Sequence, residues 1–392
     1  MYTENVTLEN RKRFERQSPP HPTLIDAAIE VAKAKLLKNV DKLTMFTPPE
    51  TINGVYEQRE NDQWTSGMNT GVLWLAYELT GDERFYNAAK EQVKTYYTRF
   101  ETKKGLLDHD VGFVFSPSVV ADYKVTGDQR SRQLALDAAE LLSNCYSDKM
   151  GFIRRSSGSW LGANRALVDS MMNIPLLLFA GEETGKPVFT DKAVRHYRTT
   201  AKYLVREDGS TYHHYEFEPG TDEPQGGVTL QGFSDESCWS RGHSWLIYGY
   251  PIAYGYTHDE EIKAMHRAVT YYFLNKLPRD CIPYWDLVFT DGSTQPRDAS
   301  AAAVSVCGLL EMCKYLDESD PDREIYKNAA DQMMRALIQK CANLSETNDG
   351  LLWHVTHALP QGRGIDEAAV YGDYFYLEAL LRYKKPDWNK YW

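Results

Sequence analysis

Two patterns of apolar and polar residues alternate along the chain and predict pairs of helices. The first is apolar nearly all round and rich in small residues, as in 299–303, which is typical of a buried helix. The second alternates charged and apolar residues at helical spacing, as in 83–100, which is typical of a half-exposed helix. Corners such as Thr80-Gly81-Asp82 join the two, because glycine ends a helix and aspartate caps the next one.

This helical pair recurs along the chain, which indicates a repeat architecture. The copies span 71–100, 117–145, 171–205, 243–274 and 299–341, with caps expected at Asp82, Asp128, Asp259 and Asp322. Helical stretches at 23–37 and 368–383 would form a sixth pair by closing a ring. The pattern therefore predicts an all-α (α/α)6 barrel, a six-hairpin toroid, as a single catalytic domain over 1–392. Residues 1–20 are expected to form a flexible N-terminal arm, and 284–289 a short strand.

The connections between hairpins are long and polar, whereas the corners within hairpins are short. In a ring of hairpins the long connections must lie at one mouth, and long loops gathered at one rim are where sites are built. These segments are 47–69, 100–116, 148–167, 208–241, 278–298 and 344–367.

Charge and cysteine usage narrow the class of protein. Lys and Arg total 44 against 55 Asp and Glu, a net charge of −11, which disfavours a nucleic-acid partner. No apolar stretch reaches the roughly 20 residues of a membrane span. The six cysteines form no C-x-x-C pair and the N-terminus has no signal-type apolar core, so we expect a cytoplasmic protein. The oligomeric state is left open.

Aromatic residues and carboxylates are the groups that suggest chemistry. The 9 Trp, 26 Tyr and 14 Phe exceed what packing needs and favour a carbohydrate cleft, since flat rings stack on sugars. The phosphate-loop-like segment 181–187 is one residue short and continues into proline. Asp108-His109-Asp110 has no matching ligand cluster, so neither a metal nor a cofactor is expected.

Asp110 and Asp169 each stand where an apolar helix begins. A carboxylate there is either a helix cap or an acid with a raised pKa, and two on one rim favour acid–base chemistry. Further along, Trp239 and Trp245 flank Arg241, whose forked guanidinium suits a carboxylate ligand. The alternative is that both tryptophans belong to the core and Arg241 pairs with an internal aspartate.

Seven motifs occur in one order along nearly the whole chain. Together they resemble the unsaturated glucuronyl hydrolases of glycoside hydrolase family 88, whose fold is an (α/α)6 barrel. The motifs are Trp64-Thr65-Ser66-Gly67, His109-Asp110-Val111-Gly112-Phe113, Val168-Asp169-Ser170, Gln231-Gly232-Phe233-Ser234-Asp235, Trp239-Ser240-Arg241-Gly242-His243-Ser244-Trp245, Pro283-Tyr284-Trp285-Asp286 and Gly372-Asp373-Tyr374-Phe375-Tyr376.

The resemblance implies an enzyme that releases 4,5-unsaturated glucuronic acid from the non-reducing end of lyase-generated oligosaccharides, such as those of glycosaminoglycans. Such enzymes hydrate the C4=C5 double bond instead of displacing at the anomeric carbon. By motif match, Asp169 would be the general acid and base, and Asp110 its partner. Substrate contacts would come from His213 (or His214), Gln231 and Arg241, with Trp64, Trp239 and Trp245 stacking on the sugar.

One departure and three alternatives bear on the substrate. Family members commonly carry an aromatic pair where this chain has Met68-Asn69, which loosens the stacking surface at the mouth and leaves the substrate preference open. The adjoining sugar, its linkage and its sulfation are left open as well. An unsaturated rhamnogalacturonyl hydrolase would share the fold and an equivalent aspartate. A non-catalytic sugar-binding toroid would keep the tryptophans but would not need both aspartates. An epimerase-type toroid would place several catalytic histidines on the rim.

Overall fold

Helices account for most of the chain in the computed structural model, which describes residues 6–15, 18–107, 109–154, 164–219 and 221–392. In chain order they are α1 (Pro22–Lys38), α2 (Val40–Met45), α3 (Ser66–Thr80), α4 (Glu83–Thr102), α5 (Val111–Phe115), α6 (Ala121–Thr126), α7 (Gln129–Asn144), α8 (Pro175–Thr184), α9 (Pro187–Tyr203), α10 (Ser240–Thr257), α11 (Glu261–Lys276), α12 (Ala299–Cys313), α13 (Pro321–Ala336) and α14 (Val370–Lys384).

Six helical segments form an inner ring. Helices α3, α14, α12 and α10 contact one another in turn, α8 follows α10, and the continuous segment α5–α6 closes the ring against α3. Each inner segment packs against the outer helix that follows it, and α1 packs against α14. The inner helices are buried nearly all round, whereas the outer helices alternate buried and exposed residues. The predicted all-α ring of six hairpins is therefore confirmed.

Most of the predicted corners and caps are present. Gly81, Gly127 and Gly185 end α3, α6 and α8 with φ of 68°, 74° and 66°. Asp82 and Asp128 accept capping hydrogen bonds from backbone N–H groups of α4 and α7, and Asp259 accepts one from the N–H of Glu261.

The cap predicted at Asp322 is wrong. Helix α13 begins at Pro321, so the residue before that proline, Asp320, caps it. The Asp322 carboxylate instead accepts hydrogen bonds from Arg267 and Tyr271 of the neighbouring α11.

The strands are short and lie at the rim. They are β1 (Thr51–Ile52), β2 (Val55–Tyr56), β3 (Tyr146–Ser147), β4 (Phe152–Ile153), β5 (Arg165–Leu167), β6 (His214–Phe217) and β7 (Pro224–Val228). They pair antiparallel as β1–β2, β3–β4 and β5–β6–β7. The strand predicted over 284–289 is wrong, because Tyr284 and Asp286 form only isolated bridges to Arg297 and Trp239.

The described part of the predicted N-terminal arm is packed against the ring. Phe14 is fully buried, and the Arg13 guanidinium donates to the carbonyl oxygens of Leu277 and Pro278. Residues 6–15 are thus not a free arm, and residues 1–5 and 16–17 lie outside the described residues. Among the described helices, none is both long enough and apolar enough to cross a membrane.

Two glycines allow the inner elements to approach closely at the rim. A Cβ on Gly67 of α3 would lie 2.2 Å from the carbonyl oxygen of Phe113, and one on Gly112 would lie 2.3 Å from that of Asn173. Such distances are far inside van der Waals contact with backbone atoms, which cannot rotate away as a side chain can. Glycine at these positions therefore lets α5 fit between α3 and the segment that carries Asp169.

Candidate active site

A cavity of about 250 Å³ opens at the rim of the ring. Seven of the eight predicted site residues line it, and Trp245 does not. The lining residues are Trp64, His109, Asp110, Leu167, Asp169, His213, His214, Leu230, Gln231, Trp239, Arg241, His357, Ala358, Gln361 and Arg363. A larger cavity of about 790 Å³ lies at the opposite end of the ring, and no predicted site residue lines it.

The three-stranded sheet brings Asp169 and His213 together. Leu167 at the end of β5 pairs with His214 at the start of β6, and the Val168 N–H donates to the His213 carbonyl at 3.1 Å. A 3-10 turn over Val168–Met172 then directs the Asp169 carboxylate towards the cavity. Oδ2 of Asp169 lies 3.6 Å from Nε2 of His213.

Burial raises the pKa of the Asp169 carboxyl above its ordinary value, because a charged carboxylate is poorly solvated there. Electrostatic interactions with His109 and Arg241 oppose this effect, as does the hydrogen bond from Trp245 Nε1 to Oδ1 at 3.2 Å. A carboxyl that retains its proton at higher pH suits a general acid.

The tautomer of His213 follows from its backbone contacts. Its Nδ1 lies 3.3 Å from the backbone nitrogens of both Leu230 and Gln231. Because a backbone N–H can only donate, Nδ1 accepts and the ring proton of neutral His213 is on Nε2, facing Asp169. Of the two candidate histidines, His213 is the one beside Asp169; the ring of His214 lies 3.9 Å from that of His213 and also lines the cavity.

Asp110 precedes α5 at the cavity wall. Nε2 of His109 lies 3.3 Å from its Oδ1. Neither Asp110 nor Asp169 caps the helical turn at which it stands, because its side chain accepts no capping hydrogen bond from a described backbone N–H group of that turn. The helix-cap interpretation of both residues is therefore wrong. Asn173 links the two segments, because its Oδ1 accepts from the N–H of Phe113 at 2.7 Å and its Nδ2 donates to the Asp169 carbonyl at 3.3 Å.

Arg241 makes the internal ion pair that the sequence left as an alternative. Its Nη1 donates to Asp298 at 2.7 Å and to the Thr356 carbonyl at 2.8 Å, and both charged side chains are buried. The guanidinium carbon lies 4.6 Å from the ring centres of Trp239 and of Tyr371. Its Nε has no hydrogen-bond partner among the described residues. Arg241 thus lines the cavity, and Asp298 and the Thr356 carbonyl hold its guanidinium in place.

The three predicted stacking residues differ in position. Trp64 is half-buried at the cavity, with its ring stacked on Tyr371 at 5.7 Å. The ring centre of Trp239 lies 4.5 Å from that of His213. Trp245 is fully buried between Phe113 and Phe375, so its prediction as a sugar-stacking residue is wrong. Its indole N–H instead donates to the Asp169 carboxylate, because residue 245 lies in the second turn of α10, inside the ring of helices.

The sequence analysis missed the contribution of the loop before α14. His357, Gln361 and Arg363 all line the cavity, and Nη2 of Arg363 donates to Glu50 at 2.6 Å. The Arg363 side chain is 52% exposed, so it places a guanidinium, paired with Glu50, at the cavity mouth. Burial, with the neighbouring Arg241 and Arg363, holds the pKa of His357 well below its usual range, so this histidine is neutral. The length of 344–367 indicated a rim segment, but no local pattern indicated which of its residues reach the cavity.

Removing the Trp245 hydrogen bond should move the pH dependence of turnover. In Trp245→Phe the carboxylate form of Asp169 loses a donor, so the Asp169 pKa rises further and the acid keeps its proton to higher pH. We expect the alkaline limb of the kcat–pH profile to shift to higher pH. Trp74→Phe is the matched control, because Trp74 is equally buried on α3 but lies outside the cavity lining. An identical shift in both variants, or none in either, would contradict this role.

The described residues contain no group of three or more His, Cys, Asp and Glu side chains placed to hold a metal ion. Asp108, the first residue of the acidic-histidine motif, lies outside the described residues.

Comparison with known proteins places this geometry in context. The sequence model described as Glycosyl Hydrolase Family 88 matches residues 38–351. The chain is 43% identical to the unsaturated chondroitin disaccharide hydrolase of Streptococcus agalactiae over 394 residues, covering 98% of each chain. It superposes on the crystal structure of the unsaturated glucuronyl hydrolase from Streptococcus agalactiae with a TM-score of 0.95, 41% identity and full coverage of both chains. A mutant of that enzyme complexed with dGlcA-GalNAc6S matches with a TM-score of 0.89 and 40% identity, again with full coverage of both chains.

Proposed function

The chain belongs to glycosyl hydrolase family 88, and on that basis we propose that it releases 4,5-unsaturated glucuronic acid from the non-reducing end of chondroitin-type oligosaccharides produced by lyases. The observation that carries the proposal is a half-buried Asp169 with a raised pKa, which accepts a hydrogen bond from Trp245 and lies 3.6 Å from His213 in a cavity lined by tryptophan and arginine. The complex of a full-length relative with dGlcA-GalNAc6S supports this substrate class.

The reaction is a hydration followed by opening of the ring. Protonated Asp169 gives its proton to C4 of the vinyl ether, and the positive charge that develops spreads over C5 and the ring oxygen. Water adds at C5 and returns a proton to the Asp169 carboxylate. The resulting hemiketal opens to a ketone at C5, and C1 then expels the remaining sugar as an alcohol and becomes an aldehyde. One water is consumed and one glycosidic bond is broken.

The neighbouring groups fit the two charge states of Asp169. The Nε2–H of His213 and the Nε1–H of Trp245 point towards the carboxylate that forms when the proton leaves. We assign Asp110 to holding the substrate and the protonation state of Asp169, since it lines the same cavity. Gln231, Arg241 and Arg363 supply donors for the uronate and its neighbour, with Trp64 and Trp239 as apolar walls.

Lyase-generated chondroitin disaccharides test the proposal directly. The conjugated C4=C5 double bond absorbs in the ultraviolet, and hydration removes that absorbance. We expect the protein to abolish it while mass spectrometry shows the free hexosamine. A matched disaccharide with unsaturated galacturonic acid on rhamnose should react far more slowly. Faster reaction of that sugar would favour a rhamnogalacturonyl hydrolase, and binding without loss of absorbance would favour a non-catalytic sugar-binding toroid.

We further propose that the ring acts as one catalytic domain in the cytoplasm. Residues from 64 to 363 together line the cavity that contains Asp169, which supports one catalytic unit. All six cysteines are free thiols, which suits a reducing compartment.

A further inference from the structure

Phe233 is the one exposed aromatic ring among the Phe, Tyr and Trp residues that the structure describes. Its side chain is 58% exposed, and its ring meets those of Phe289 at 5.1 Å and Trp285 at 6.3 Å edge to face. Val288 beside them is also exposed. The other aromatic residues that the structure describes are buried or half-buried, so the three rings of Phe233, Phe289 and Trp285 form a small apolar platform at the rim.

The loop that presents Phe233 is internally braced. The Asp286 carboxylate accepts hydrogen bonds from the Phe233 N–H at 2.9 Å and from the Ser237 hydroxyl at 2.6 Å. Arg206 donates to the carbonyl oxygens of Asp235 and Ser237 at 2.8 and 3.1 Å. Because these contacts fix the backbone that carries the exposed ring, less backbone entropy would be lost when the ring stacks against a ligand.

The same loop begins inside the cavity. Leu230 and Gln231 line it, and Gln361 donates to the Leu230 carbonyl at 2.6 Å across the mouth. A cavity of about 250 Å³ is smaller than the roughly 300–1,000 Å³ of sites that enclose drug-sized ligands. On the proposed function this volume would hold the unsaturated sugar, and a second sugar would then meet Leu230, Gln361 and Arg363 of the lining. Phe233 lies outside this lining, two residues beyond Gln231.

We propose that Phe233, supported by Phe289 and Trp285, is a stacking subsite for the third sugar of unsaturated oligosaccharides. The C–H face of a pyranose would lie on the exposed ring, a contact that needs no charge on the sugar. This inference rests on the proposed function and extends it, because it makes chain length a determinant of binding.

Matched chondroitin oligosaccharides of two and four sugars test the subsite. In Phe233→Ala we expect kcat/KM for the unsaturated tetrasaccharide to fall about fivefold through KM, with the disaccharide unchanged. Phe233→Tyr, which retains the ring, should keep the tetrasaccharide activity. Val288→Ala removes a neighbouring exposed apolar side chain without a ring and should leave both substrates unaffected.

Kinetics of the wild-type protein distinguish a failure of the proposed function from a failure of the subsite. No turnover of the disaccharide by the wild type would refute the proposed function itself. Turnover of both substrates with no selective loss in Phe233→Ala would refute the subsite alone. A change from dimer to monomer in that variant, with unaltered tetrasaccharide kinetics, would also overturn it and identify the platform as a contact between two copies of the chain.

Discussion

Replacing Asp169 by asparagine is expected to lower kcat on unsaturated chondroitin disaccharide by about a thousandfold, since acid–base catalysis contributes about 10²–10⁴-fold. Asparagine has nearly the same shape and its side-chain oxygen can still accept from Trp245, but it cannot give a proton to C4. Binding should therefore persist while turnover is lost. Following the loss of ultraviolet absorbance under single-turnover conditions, with substrate binding measured by calorimetry, separates the two.

Asp331→Asn is the matched control for Asp169→Asn. Burial raises the pKa of Asp331 as it does that of Asp169, but Asp331 lies on the outer helix α13 and accepts a hydrogen bond from Tyr383. Its replacement should change the free energy of unfolding without changing kcat. Turnover of Asp169→Asn close to that of the wild type would remove Asp169 from the mechanism.

Saturated glucuronides are expected to bind but not to be cleaved. Protonation at C4 needs the electron-rich double bond of a vinyl ether, which a saturated uronide lacks. Both sugars can occupy the same aromatic cavity, so the difference should lie in kcat and not in binding. Incubation with matched saturated and unsaturated disaccharides, followed by mass spectrometry of the products, measures it.

A p-nitrophenyl β-glucuronide provides an independent check, because its good leaving group reacts readily in ordinary glycosidase chemistry. Hydrolysis of this compound at a rate comparable with that of the unsaturated disaccharide would show displacement at the anomeric carbon. The hydration mechanism would then have to be abandoned, and Asp110 would have to be reconsidered as a second catalytic carboxylate.

Local sequence patterns specify the helical architecture. Apolar and amphipathic stretches alternate, and corners such as Gly81-Asp82 satisfy the last carbonyl and first N–H groups of successive helices. These interactions span only a few residues, so the residues themselves specify them. The misplaced cap at Asp322 shows the limit of that precision. Aspartates stand on both sides of Pro321, and the start of the helix at the proline selects the one before it.

The motif order likewise located the cavity from sequence, because the long rim loops and the family resemblance both point to the same segments. Asp110, Asp169, His213 and Gln231 meet there as expected. Each belongs to a short motif next to the start of an inner helix or to a rim loop, and the ring gathers those segments at one end.

The roles of individual side chains were decided only by the tertiary structure. Trp239 and Trp245 stand six residues apart with similar neighbours, yet one lines the cavity and the other supports Asp169 from inside the ring. An inner helix is buried on every side, so its hydrophobic pattern does not distinguish the face towards the cavity from the face towards the core.

Contacts between residues far apart in the chain could not be predicted from the sequence, for a different reason. Arg241 pairs with Asp298, 57 residues away, and Arg363 reaches the cavity through a loop that pairs with Glu50 near the other end of the chain. Such contacts exist only once the ring has closed and has brought distant rim loops side by side. Local spacing determined the helices, their order and the rim. The closed ring determined which charges meet, which tryptophan lines the cavity and which arginines reach it, because those depend on distances that no stretch of sequence contains.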